Sequence, residues 1–147
     1  MAEFMNPSPN SFLADPHEDP EYDRFSSAMH VEDGQLMMVF TKCLEEKYTD
    51  NPWPIIWEGY AYIGLDDETQ AVLCFKAALR KRIRHTRKVT QYYNEQLASS
   101  TYSSSEKLYM IRDCAIQRRY LRNASEEAKR CIRICNGNSD KLQQSLC

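Results

Sequence analysis

The nine residues Arg80-Lys81-Arg82-Ile83-Arg84-His85-Thr86-Arg87-Lys88 carry six permanent cations. Their chemistry is electrostatic. On a helix, Arg80, Arg84, Arg87 and Lys88 follow i, i+4, i+7 and i+8 and share a face able to track phosphates. Such a face gives salt-sensitive affinity and little sequence information. The block also reads as a nuclear-localisation patch, and equally as a solvated helix face neutralised by acids elsewhere. The candidate site residues are therefore Arg80, Lys81, Arg82, Arg84, Arg87 and Lys88, with Ile83 and Thr86 left for the core. A second basic cluster, Arg112, Arg118, Arg119, Arg122, Lys129, Arg130 and Arg133, adds weight to nucleic-acid contact. Asp113, Glu126 and Glu127 dilute it.

Other chemistries find less support. Cys131-x3-Cys135 places two thiols on one helical face, but a tetrahedral zinc site needs two further ligands, and the chain has neither C-x2-C nor H-x3-H. Core packing is the expected role of this pair. His17 and His30 lie among acids and His85 lies inside the basic block; none has the context of a base activating Ser or Cys. No G-x-G-x-x-G, P-loop, H-E-x-x-H or G-x-S-x-G occurs. Asp66-Asp67-Glu68 reads as helix capping. The expectation is a chain without catalytic residues, metal, cofactor or small-molecule substrate.

The elements that must position the basic block are helical. Glycine is scarce, at four residues in 147, while β-proteins need it in their turns. Leu36, Phe40, Cys43, Leu44 and Tyr48 recur at helical spacing. Asn51, with Pro52 or Pro54, opens a second, largely apolar helix through Ile55, Ile56, Trp57, Tyr60 and Ile63. Asp66 or Asp67 caps a third, with Val72, Phe75, Leu79, Ile83, Thr86, Tyr93 and Leu97 as its stripe. Ser103-x-x-Glu106 is a capping box for a fourth. Its stripe is Leu108, Ile111, Ala115, Leu121, Ala124, Ala128, Ile132 and Cys135, and Asn136-Gly137 ends it. The expected fold is all-α: a four-helix bundle-like domain of two hairpins over residues 34–136. A disordered acidic arm (1–33), holding four prolines and a net charge of −7, precedes it. A flexible tail (137–147) follows.

Gly59, Tyr62, Ala71, Phe75 and Ala78 match the Gly, Tyr, Ala, Phe and second Ala positions of the 34-residue tetratricopeptide pattern. Small residues at 59, 71 and 78 let two antiparallel helices approach, and Tyr62 and Phe75 fill the space between them. Glu58 stands where Leu is expected, no Pro closes the repeat, and no second copy appears 34 residues away. The expectation is one repeat-like hairpin inside a different helical domain.

Residues 51–95, NPWPIIWEGYAYIGLDDETQAVLCFKAALRKRIRHTRKVTQYYNE, resemble the central region of the geminivirus pre-coat proteins of the curtovirus type. The likeness is carried by Trp53 followed by Ile55-Ile56, a Gly-Leu turn into acids, the apolar VLCF, and a basic helix with spaced tyrosines. FTKCLEEKY (40–48) resembles a stretch of the begomovirus relatives. The chain differs in its longer acidic arm, its longer last helix and its lack of clustered C-terminal cysteines. The resemblance implies a small plant-virus accessory protein that suppresses host RNA silencing, assists movement and shuttles between nucleus and cytoplasm. It would act by binding host proteins or RNA. The residues independently suggest reduced cysteines, no secretion, and no membrane span, since no run of 18 apolar residues occurs. Three readings follow: a non-enzymatic regulatory binder of host or self protein, a direct RNA- or DNA-binding protein, or a helical module that forms a homo-oligomer.

Overall fold

The computed structural model describes residues 11–146, with side chains described for 12–137. Two 3-10 turns (Ser11–Leu13, Pro16–Glu18) lead into α1 (Pro20–His30), α2 (Gly34–Lys47), α3 (Trp53–Gly64), α4 (Glu68–Ala98) and α5 (Ser104–Leu146), and no strand occurs among the described residues. The helices start where the sequence supplies caps. Asn51 Oδ1 accepts from the Trp53 amide at 2.9 Å, with Pro54 in the first turn of α3. Asp67 accepts from the Gln70 amide at 3.2 Å. Ser103 and Glu106 exchange reciprocal bonds of 3.2 and 3.1 Å, the capping box of α5.

Among the described residues the domain has five α-helices where four were expected, and the expectations for both ends of the chain fail. Residues 20–30 are not a disordered arm but helix α1, with Phe25 and Ala28 in the core. Pro20 sits at the first helical position, where its missing amide costs nothing, and Asp19 caps it by accepting from the Glu21 amide. Only residues 1–10 of the expected arm lie outside the described residues. At the other end, α5 runs through Gly137 to Leu146 instead of stopping at Asn136-Gly137. One glycine costs a helix about 1 kcal/mol, too little to end one so long.

Each helix packs on the next, α1 on α2 through to α4 on α5, and α5 reaches back to α3. The turns Val31-Glu32-Asp33 and Leu65-Asp66-Asp67 repeat each other. Glu32 and Asp66 have φ of 56° and 59°. Asp33 N–H donates to Ala28 O at 3.0 Å and Asp67 N–H to Tyr62 O at 2.8 Å, the same bond 34 residues on. The interior follows this register. Phe25, Met37, Thr41 and Leu44 are buried, and so are Gly59, Ala71, Phe75 and Ala78, the residues 34 positions later. Large and small residues trade places between the two hairpins, so matching by residue type finds no second copy although the packing positions recur.

Gly59 of α3 lies tight against the Phe75 ring of α4. A Cβ on Gly59 would sit 2.5 Å from Phe75 Cε1. Nothing lies within 4 Å of one on Gly137. Gly59→Ala is therefore expected to lose about 1–3 kcal/mol of stability. Gly137→Ala should be neutral or stabilising by up to about 1 kcal/mol. Thermal unfolding of the two variants checks the contrast, and equal melting temperatures would contradict it.

Candidate nucleic-acid interface

The inward stripe of α4 runs Ala71, Phe75, Ala78, Arg82, His85, Val89 and Tyr93, at spacings of four and three. This differs from the stripe expected through Ile83 and Thr86. Ile83 is 47% exposed, while His85 is 1% exposed. The face that starts at Ala71 and Phe75 continues at helical pitch whatever residue type it meets, so it takes in a histidine and half-buries an arginine.

That rotation divides the six candidate residues. Arg80, Arg84 and Arg87 are exposed. Lys88 is exposed but turns aside to pair with Asp50, in the turn between α2 and α3. It therefore leaves the face it was expected to share. Lys81 is half-buried and its charge acts on Glu45. Arg82 is half-buried, and its Nε makes no hydrogen bond.

A second row comes from α5. The Tyr120 hydroxyl meets Asn51 Nδ2 at 3.4 Å and the Tyr60 hydroxyl donates to Glu127, so Tyr120 and Glu127 mark the side of α5 that faces α3. Arg118, Arg122, Lys129 and Arg133, at i, i+4, i+11 and i+15, turn to the opposite side and are exposed. On α4, Ala71, Phe75 and Ala78 are buried, Phe75 against α3, so Arg80 and Arg87 also point away from α3. The two helices are antiparallel, and Val89 and Tyr93 pack with Leu121. The basic segments of α4 and α5 thus lie along neighbouring stretches of the same hairpin. Counting Arg84, none of these seven cations is ion-paired among the described residues. Glu126 is an exposed acid within this row, and Arg130 is taken by Glu127 at 2.6 Å.

Behind the basic block lie two buried polar arrangements that sequence reasoning missed. His85 sits edge-on to Phe12, with ring centroids 6.1 Å apart, beside a cavity of about 140 Å³ lined also by Lys47, Tyr48, Thr49, Asp50 and Asn51. Neither ring nitrogen makes a well-formed hydrogen bond, and the Phe12 backbone offers only a weak polar contact. Burial holds the His85 pKa below the ordinary 6.5; the Asp50 charge opposes this and Lys88 adds to it. Near Lys81, Lys42 bonds the buried Glu58, and the Cys74 thiol donates to Glu58 Oε2 at 3.4 Å. Burial, and then the Glu58 charge, push the neighbouring Glu45 up to about 7. Glu58 is the residue that departs from the tetratricopeptide pattern, and its partners explain how a carboxylate survives there.

Among the described cysteines Cys74, Cys131 and Cys135 lie in the interior, Cys114 is half-buried, and Cys43, placed on the expected core stripe of its helix, is exposed. Cys131 and Cys135 are buried, as core packing predicts. Burial pushes Cys74 up to about 12 and Cys131 up to about 11, so both are held as thiols. No cluster of three His, Cys, Asp or Glu among the described residues is placed to hold a metal ion. No described helix is long and apolar enough to cross a membrane. Compared with family models, curated proteins and solved structures, the chain matches none.

The two buried groups give opposite pH dependences. The lowered His85 pKa contributes stability that is present above about 6.5 and lost as pH falls toward the folded-state value. Glu45, raised from 4.5 to about 7, contributes stability that is present below 4.5 and lost as pH rises to about 7. Relative to the wild type, Glu45→Gln should gain melting temperature between these limits and then level off. His85→Leu should gain progressively below pH 6.5. A pH series of melting curves on the three proteins tests both signs.

Proposed function

We propose that this chain is a non-catalytic RNA-binding protein that grips the backbone of a duplex through the α4–α5 face. The observation that carries the reading is the row of seven exposed, unpaired cations, Arg80, Arg84, Arg87, Arg118, Arg122, Lys129 and Arg133, on one side of two antiparallel helices. Six are arginines, whose planar fork suits phosphate oxygens better than a lysine point charge. A duplex offers a regular line of phosphates to such a row, and binding releases counterions. The scaffold that presents it is read as two tetratricopeptide-like hairpins, α1–α2 and α3–α4, closed by α5. The 34-residue register of their turns and buried positions supports that reading. An RNA-binding helical protein without catalytic machinery fits the silencing suppressor that the geminivirus resemblance implies. The exposed Arg80, Arg84 and Arg87 are also the residues a nuclear-import receptor would need.

Binding to a short RNA duplex across a salt series tests this. The wild type should show a steep loss of affinity with salt. Arg80→Glu/Arg84→Glu/Arg87→Glu should reduce the slope by about three, one for each lost contact. Lys88→Glu should change it little, because that ammonium is held by Asp50. No binding at low salt, or an unchanged slope in the triple variant, would overturn the proposal.

A further inference from the structure

Two apolar surfaces lie at opposite ends of the molecule, and their charges are opposite. The first is a groove where the two repeated turns meet. Met29, Met37, Tyr60, Ile63 and Gly64 line it, Glu32 and Asp66 form its rim, and its volume is about 560 Å³. The rim residues are unusual. Each occupies the left-handed position that closes a helix, where glycine is favoured because it lacks the Cβ penalty. Each also brings a negative charge to a helix C-terminus, the wrong end for the macrodipole, although the helix that follows offsets part of this. Neither is ion-paired among the described residues. Two unpaired acids in left-handed positions, 34 residues apart on one rim, point to a role for their charge beyond folding.

The second surface is on the first third of α5. Leu108, Ile111 and Ala115, part of the stripe expected to be core, all turn outward, with Leu108 68% and Ile111 53% exposed. The core face of this segment is instead Met110, Cys114 and Leu121. The helix thus has apolar residues on two sides, and nothing in this copy covers the outer one. The charges that share the outer side are Arg112, Arg118, Arg119 and Arg122, all exposed, the second and fourth of them continuing the Ile111–Ala115 row at i+7 and i+11. The nearby acids Glu106 and Asp113 fall on the other side by helical spacing.

We propose that these surfaces bind each other between copies: the outer stripe of α5 from one molecule docks in the acid-rimmed groove of the next. The occupant is a second copy of this chain, because the chain supplies an apolar groove with acids and an apolar ridge with arginines. The two cannot meet within one molecule. Asp66 stands just before α4 and the stripe lies beside its far end, and a helix of 31 residues spans about 46 Å. The contact is heterologous, so it leaves a free groove at one end and a free stripe at the other, and it builds open chains or a ring. It does not rest on the nucleic-acid reading, and its test contains no RNA.

Sedimentation of the full chain over a concentration series at low and high salt reads the association. The wild type should associate with rising concentration, less so at high salt. Glu32→Gly/Asp66→Gly removes the rim charges at positions where glycine suits the backbone, so it should keep or raise the melting temperature while weakening association by about tenfold or more. Ile111→Glu should weaken it similarly. The decisive mixture combines the two variants: each keeps one intact surface, so together they should form a one-to-one dimer that grows no further. A wild type that stays monomeric throughout, association that survives the glycine variant, or a mixture that forms no dimer would overturn the proposal.

Discussion

The contact of Phe75 with the backbone of Gly59 sets much of the rest of the molecule. It brings α3 and α4 closer than any side chain at 59 would allow. That closeness fixes the rotation of α4 about its own axis. With Phe75 turned inward, Ala78, Arg82, His85 and Val89 must follow at helical pitch, and Arg80, Arg84 and Arg87 must face out. The same approach traps Glu58, the neighbour of Gly59, in the interface at 5% exposure. A carboxylate there needs a cation and a donor, which Lys42 and Cys74 supply. Glu45, drawn into the same space, responds by holding its proton more tightly.

A second constraint comes from the ends of the long helices. Beyond the body formed by α1 to α3, α4 and α5 have only each other, and Val89, Tyr93 and Leu121 are a thin core for such a hairpin. The segment before α1 thickens it. Phe12 and Leu13 pack against that core, and Gln117 Nε2 donates to the Leu13 carbonyl at 3.3 Å. The segment is anchored by His17, whose ring is enclosed by Tyr22, Trp53, Trp57 and Tyr120 with centroids 4.8 to 5.8 Å away, and whose Nδ1 is 2.8 Å from Asp15. Asp19 adds a bond from the Tyr48 hydroxyl at 2.8 Å. The aromatic residues around the second apolar helix are therefore core, as their density suggested, but part of that core is closed by a segment read as disordered.

What was legible followed from local rules. Asn51, Asp67 and the Ser103/Glu106 pair each have a side chain whose only good use is a helix start, and each makes that bond. Gly59, Ala71, Phe75 and Ala78 announced a close helix pair because small residues at those spacings have one geometric meaning. What was not legible depends on competition between distant groups. Pro20 looks like a breaker until Asp19 makes it an initiator, and Phe25 and Ala28 alone are too few to mark a helix. The exchange of Phe25 for Gly59 and Thr41 for Phe75 hides the repeated register, since interlocking surfaces conserve summed volume and not residue type. Leu108, Ile111 and Ala115 continue an apolar pattern into Leu121 on paper, yet they lie on the opposite side of α5. A stripe read by hydrophobicity alone cannot tell one face from two when the helix is long enough to carry both.

Charge placement then restricts how the molecule can meet a polyanion. Glu32, Asp33, Asp66 and Asp67 cluster at the two repeated turns, and Asp15, Glu18, Asp19, Glu21 and Asp23 lie in or just before α1. The cations outside this region concentrate on α4 and α5, on the side away from α3. A duplex drawn by the net charge alone would feel almost nothing, since the chain as a whole carries −2. It is the separation of charge that orients the approach: phosphates are repelled by the turns and the first helix and attracted to the arginine row. Two of those acids, Glu32 and Asp66, are also the rim of the groove proposed to take the α5 stripe. A molecule bound to RNA through its arginine row would hold its acidic rim clear of the phosphates, where another copy can reach it.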